Sequence, residues 1–326
     1  MSDLVTTTYD HQTLLDHAVE IARASKAPNT VRAYASDFRR FADWCAKHGL
    51  DALPAKETTI GAYLVHLSHT GHKPTTINRA ITAINQAHLC SGWDRPARRM
   101  VREIYRGINR LKGSKKRRVQ PITWPILCRM LNVIKASDNG MRDRALLLVG
   151  FACALRRSEL VAIDFENLEF VAEGVILHQY KSKTNQTGEE RKIAIPFLEV
   201  ENMCPVRALR RLIDYFSISE GALFRGTGST GRLRHGKLAE RRLSAQGVAL
   251  IIKRYCSAAG YNPDQYSGHS LRAGFITSAA AAGLKSAEIM ARTGHKNFEV
   301  FFNYVRDGRL FLEHPLLSIV NSAPID

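Results

Sequence analysis

The feature that most constrains this fold is a break. From Lys112 to Arg118 the chain reads KGSKKRR, five cations in seven residues with one glycine, and apolar periodicity is lost until past Pro121. Such a stretch buries nothing, so it separates two independently packed units. The division predicted is a helical domain over 1–111, a basic linker over 112–121 and a second domain over 122–326. Taken alone, the linker reads equally well as a solvated tract. Its place between two folded units favours one that tracks phosphates.

Upstream of the break the periodicity is helical throughout. A helix starting at Asn29-Thr30 carries Val31, Tyr34, Phe38, Phe41, Trp44 and Cys45 at three- and four-residue spacing until Gly49 stops it. A second runs from about Thr58 to Leu67. A third follows Pro74, capped by Thr75 or Thr76, with Ile77, Ile81, Ile84 and His88 in one stripe. A fourth, around Arg98 to Leu111, carries Arg99, Arg102, Arg106 and Arg110, which predicts a strongly basic exposed side. Together these make a small helical bundle.

Downstream the chain is mostly helical with one interruption. Val175–Tyr180 and Arg191–Ile195 pattern as strands around the polar segment 181–190, a hairpin with a long tip. Ser244 is placed to cap a helix reaching about Ala258. GTGSTG at 226–231 matches a dinucleotide fingerprint formally, but RLRHGK follows it in place of an apolar helix, and no βαβ unit surrounds it.

Composition narrows the partner. Apolar residues make up 45% of the 326, enough for substantial cores, and 47 Lys and Arg against 30 Asp and Glu leave a formal charge of +17. That excess predicts a polyanionic partner. The longest apolar run, Ala145 to Leu155, is about eleven residues, short of the roughly 20 that cross a bilayer, so it predicts a buried helix and no membrane partner. MSDLVTTTYDHQ has neither the basic nor the apolar region of a secretion signal, and a cytoplasmic location is expected, nucleoid-associated if the source is bacterial. Cys45, Cys90, Cys128, Cys153, Cys204 and Cys256 are scattered singly and read as reduced thiols, most of them in the core. His66, His69 and His72 recur at ligand-like spacing. With no acidic or cysteine partner nearby they read better as the carboxyl end of a helix.

Candidate chemistry lies in two places. Leu155-Arg156-Arg157-Ser158-Glu159-Leu160 follows the apolar run, and Gly268-His269-Ser270-Leu271-Arg272 precedes Gly294-His295, with Tyr304 nine residues after that histidine. His269 and Arg272 stand one turn apart on a helix beginning near Ser270, and Glu159 is spaced to orient Arg156. Planar guanidinium forks match two non-bridging phosphate oxygens and keep their protons. Alone, His-x-x-Arg is more often surface decoration, Arg beside Glu a plain ion pair, and Tyr304 a core aromatic. The ordered set carries more weight than any member.

LRRSEL, GHSLR and GHKNFEVFFNY, in that order with a lysine on the hairpin between the first two, resemble the boxes of the tyrosine recombinase and integrase family, whose catalytic domain is related to that of type IB topoisomerases. The likeness spans essentially the whole chain, and YSGHSLRAGFITSAAAAGLKSAEIMARTGHKNFEVFFNYVRDG looks closer to the Cre-like branch than to an arm-binding integrase. His295, the commoner choice in the wider family, stands where Cre has tryptophan.

The resemblance implies a mainly α fold with a small β-hairpin or sheet in the catalytic domain, arranged as a two-domain, C-shaped DNA clamp. It implies catalytic roles for Arg156 in preference to Arg157, Lys183 in preference to Lys181, His269, Arg272, His295 and the nucleophile Tyr304, with Glu159 in support. The implied reaction is transesterification with no metal, ATP or other cofactor, through a 3′-phosphotyrosyl link. Double-stranded DNA would be held by Lys112, Lys115, Lys116, Arg117, Arg118, Arg79, Arg106, Arg241 and Arg242, and read from the Thr75–His88 helix and the basic segment 232–242. The apolar segment carrying Leu310, Phe311, Leu316, Leu317, Ile319 and Val320 would dock into a neighbouring protomer, building a homotetramer on two inverted-repeat sites from a monomer or weak oligomer. The competing readings are a type IB topoisomerase-like nicking-closing enzyme and a non-catalytic DNA-binding regulator. Integration, excision, resolution and transposition all fit these residues.

Overall fold

A computed structural model describes residues 26–113, 119–179, 190–226, 241–294, 301–302 and 304–305. The chain divides into two compact units, Met1–Lys116 and Arg117–Asp326.

The first unit holds α1 (Pro28–Lys47), α2 (Glu57–His69), α3 (Pro74–Cys90) and α4 (Arg99–Lys112). Phe41 and Cys45 of α1, Ile60 and Leu64 of α2, Ile77 and Ile84 of α3, and Val101 and Ile108 of α4 share one core. The predicted stripe on α1 is narrower than its spacing implies, because Val31 is 47% exposed. Its place near the start of α1 puts it beyond the core. α3 begins at Pro74 itself, with Lys73 as its cap residue and no side-chain capping bond from Thr75 or Thr76. Proline at a first helical position has its ring torsion already set and no N–H to satisfy. His88 is buried in that helix, where Nε2 accepts from the Ala55 amide at 2.8 Å and Nδ1 lies 2.8 Å from the Ile84 carbonyl. His66 packs on the Trp44 and Tyr63 rings, with centroids 5.9 and 6.3 Å apart. Arg99, Arg102, Arg106 and Arg110 are all exposed on α4, as its periodicity predicts.

The second unit is built on α6 (Asp138–Ala152), which follows α5 (Trp124–Asn132). Leu146, Leu147, Leu148 and Val149 are all at most 2% exposed, so α6 is apolar all round its second half because it is covered on every side. Gly150 explains how two helices reach it together. A Cβ there would come within 2.9 Å of both Leu160 Cδ2, on α7 (Arg157–Val161), and Leu271 Cδ1, on α10 (Ser270–Ala281). Absence of that one methyl brings the starts of α7 and α10 to the same point.

β1 (Leu168–Val171), β2 (Gly174–Gln179) and β3 (Arg191–Pro196) form an antiparallel sheet in the order β1-β2-β3. Val175, Leu177, Ile193 and Ile195 turn to the core. The predicted hairpin is thus two strands of a three-stranded sheet. β1 has four residues, none of them buried, and leaves too weak an alternation to read. α8 (Pro205–Phe216), α9 (Ala245–Ala258) and α11 (Ser286–Thr293) complete the described α-helices, and the Ser244 hydroxyl caps α9 by accepting from the Gly247 amide at 3.0 Å. The chain entering this unit is pinned to α10. The Ile122 amide donates to the Ser270 carbonyl at 2.9 Å, and a Cβ on Gly274 would stand 1.7 Å from the Ile122 oxygen.

α6 and α9 share a buried ion network. Asp143, fully buried, accepts from Arg142 Nε and Nη2 at 2.9 and 2.8 Å, from the Tyr255 hydroxyl at 3.0 Å and from Arg254. Removing one partner of such a pair strands the other's charge in a low-dielectric interior. Asp143→Ala is therefore expected to cost about 3–5 kcal/mol in chemical denaturation, and Asp143→Leu combined with Arg142→Met to recover much of it.

Candidate active site

Arg156 stands in extended backbone (φ −69°, ψ 149°) directly before α7. Glu159, three residues on and 6% exposed, accepts from the Arg156 amide at 2.8 Å and from its Nη1 at 2.5 Å. One carboxylate thus caps the helix start and aims the guanidinium. The adjacent arginine goes elsewhere. The Arg157 side chain covers Gly268, where a Cβ would meet its Cδ at 2.7 Å.

Just upstream, Ala154 adopts φ 49°, a left-handed conformation that costs a side-chain-bearing residue about 1–2 kcal/mol. Its carbonyl accepts from Arg272 Nη1 at 2.7 Å. Arg272, the third residue of α10, is 5% exposed. Burial pushes its pKa down to about 10; Arg156 and Arg191 push the same way, while Glu159 and Tyr304 oppose them. It stays cationic at neutral pH. The Tyr304 phenol is thus among the groups whose charge reaches Arg272. Tyr304 is half-buried in helical backbone, its ring packed on the cluster formed by Ile276, Ala280, Ile289, Phe301 and Val305. α10 therefore anchors both Arg272 and the packing of the tyrosine.

His269 is the cap residue of α10, one turn before Arg272 as its spacing predicts, but the two differ in surroundings. His269 is exposed and Arg272 is buried. His295 and Lys183 lie outside the described residues, as do Lys181, Lys115, Lys116, Arg117 and Arg118. Their flanks are described: Gly294 (φ 65°) closes α11 immediately before His295, and Gln179 and Arg191 end β2 and begin β3 on either side of the hairpin segment.

Several cations expected on DNA have protein partners. Asp37, 2% exposed on α1, accepts from Arg79 Nε at 2.5 Å and Nη2 at 3.1 Å and also pairs with Arg40; although burial raises its pKa, the bonds to Arg79 and Arg40 bring it below the usual carboxylate value. Arg79 thereby joins α3 to α1. Lys112 Nζ donates to the Ser68 and His72 carbonyls, Arg106 pairs with Glu103 at 2.7 Å, and Arg242 donates to the Val161 carbonyl at 2.7 Å and to Asp164. Arg241 is exposed.

One site residue went unread in the sequence. Arg191 lies on the inward face of β3 with Ile193 and Ile195, and its charge reaches both Arg156 and Arg272. A cation in phase with two buried isoleucines was the available signal. Three guanidinium groups around one carboxylate leave an excess of positive charge that suits an anion.

These features belong to a known class. Residues 127–309 match the model of the phage integrase family, and residues 17–88 that of the phage integrase N-terminal SAM-like domain. An integrase/recombinase XerD homolog of Selenomonas ruminantium is 38% identical over 302 residues, covering 91% of this chain and 87% of that protein. Recombinase Cre of Escherichia phage P1 is 23% identical over 304 residues, covering 87% and 86%. Among solved structures, a lambda integrase dimer bound to a COC′ core site shares the fold with a TM-score of 0.60 at 17% identity, covering 92% of this chain and 96% of that one. The chain belongs to the phage integrase family, the tyrosine recombinases, and is an enzyme of that class.

The charge balance around Arg272 is testable. Glu159 holds its pKa up, so Glu159→Gln should let it titrate lower: the guanidinium carbon resonance is expected to turn over near pH 10 in the native protein and at lower pH in the variant. An unchanged midpoint would separate the two groups.

Proposed function

We propose that this recombinase cuts and rejoins duplex DNA by a covalent 3′-phosphotyrosyl link to Tyr304. The observation that carries the reading is that one helix, α10, carries both the buried Arg272 and the apolar residues Ile276 and Ala280 on whose cluster Tyr304 packs, with the Arg156–Glu159 pair among the charges that reach Arg272. The tyrosine oxygen attacks the scissile phosphate in line, forming the O–P ester and expelling the 5′-oxygen. Arg156, Arg272 and His295 stabilise charge building on the non-bridging oxygens. His269 handles the nucleophile's proton, Lys183 protonates the leaving 5′-oxygen, and Glu159 supports Arg156. The ester keeps the energy of the broken bond, so a second strand's 5′-hydroxyl reverses the step without ATP.

The exposed arginines of α4 and the basic linker supply phosphate contacts, so affinity should fall steeply with salt. Arg79, Lys112 and Arg242, held by protein partners, contribute less to that term than sequence reading implies. The full reaction takes place in a homotetramer on two sites, with the segment from about 309 onward reaching a neighbouring protomer.

Tyr304→Phe is expected to bind its DNA site with native affinity and form no covalent adduct on a nicked suicide substrate; an adduct in that variant would move the nucleophile elsewhere. Lys183→Ala should slow cleavage of ordinary DNA by about 10²–10⁴-fold and be largely restored by a 5′-thiol leaving group, which needs no acid.

A further inference from the structure

Two arginines outside the set just assigned cross between the sheet and the end of α11. Arg191 Nη2 donates to the Arg292 carbonyl in the last turn of that helix, and Nη1 donates to Gln179, its register partner on β2, at 3.3 Å. Arg292 reaches back, its Nη2 donating to the Ala194 carbonyl on β3 at 2.6 Å and to the Ala152 carbonyl at the end of α6 at 3.3 Å. Helix ends and edge strands both leave carbonyls without backbone partners, and β3 is an edge strand. Each arginine therefore satisfies an acceptor on the other's element. The Arg191 fork also lies against the Gly294 turn, where an added Cβ would come 3.0 Å from Nη1 and 3.3 Å from Cζ.

This crossing joins three places that matter to the reaction. It ties the base of the β2–β3 hairpin to the residue before His295. Through Ala152 it also ties both to the turn whose Ala154 carbonyl holds Arg272. Both Nη nitrogens of Arg191 donate to protein acceptors, which suits it to holding these parts in register.

We propose that Arg191 is a positioning residue for strand cleavage, clamping the hairpin base to the Gly294 turn so that Lys183 is presented to the leaving 5′-oxygen. The inference rests on the acid role given to Lys183 above. Misplacement of a reacting group by about 1 Å can cost about 10²-fold in rate, which sets the effect expected.

The test measures covalent adduct formation on ordinary and 5′-thiol suicide duplexes by Arg191→Ala, Arg191→Lys, Lys183→Ala and the native enzyme, with duplex affinity recorded alongside. Arg191→Ala is expected to bind DNA normally, to cleave the ordinary duplex about 10–100-fold more slowly, and to return to within about threefold of native on the thiol duplex. Arg191→Lys keeps a donor for the Arg292 carbonyl and should recover much of the ordinary rate, which controls for a folding defect in the alanine variant. If Lys183→Ala is rescued by the thiol and Arg191→Ala is equally slow on both duplexes, the inference is overturned and the acid assignment stands. A native rate for Arg191→Ala on the ordinary duplex overturns it as well. If Lys183→Ala is not rescued either, the acid assignment fails and this inference falls with it.

Discussion

A guanidinium as deeply buried as Arg272 is costly to keep charged, and Glu159 offsets that cost. Burial and two neighbouring arginines all press Arg272 toward deprotonation. A single carboxylate, itself held by the start of α7, leans the other way. The balance leaves Arg272 cationic at neutral pH yet poorly solvated, a state in which an arriving phosphate gains more than it would from an arginine in water. Everything that fixes Glu159 in place therefore bears on the charge of Arg272.

What fixes it is packing. The bare Cα of Gly150 lets Leu160 and Leu271 close on α6 side by side, and that contact decides how near Arg156 and Arg272 can come. Gly274 does the same one turn further along α10 by admitting the Ile122 carbonyl. The left-handed Ala154 then turns its own carbonyl toward Arg272. Local strain of that kind persists where the surroundings over-determine it, as a core on one side and an ion cluster on the other do here.

The helices of both units were legible because an amphipathic period needs only neighbours in sequence. α1, α2, α3, α4 and α9 fall within a few residues of their predicted bounds, and Ser244 caps α9 as its position implies. Arg156 and Arg272, proposed above as catalytic, stood out in the sequence as residue types at familiar spacing. β1 was not, being short and unburied. Nor was the use of Arg79, since nothing near it in the chain reveals that Asp37, forty-two positions away, is buried and waiting for a fork. Arg191 escaped for a related reason: alternation with Ile193 and Ile195 says which way it points, and only the packed molecule says what it meets.

The sequence alone therefore determined where the chain could be helical, where it had to break, its excess of positive charge and which side chains were available for phosphoryl chemistry. These are properties of composition and short-range period. The tertiary structure decided which cations are spent on protein carbonyls and carboxylates and which one is desolvated. Such choices depend on burial and on partners as far apart as Ala154 and Arg272, 118 positions along the chain, and only a packed interior can bring groups so distant under one dielectric.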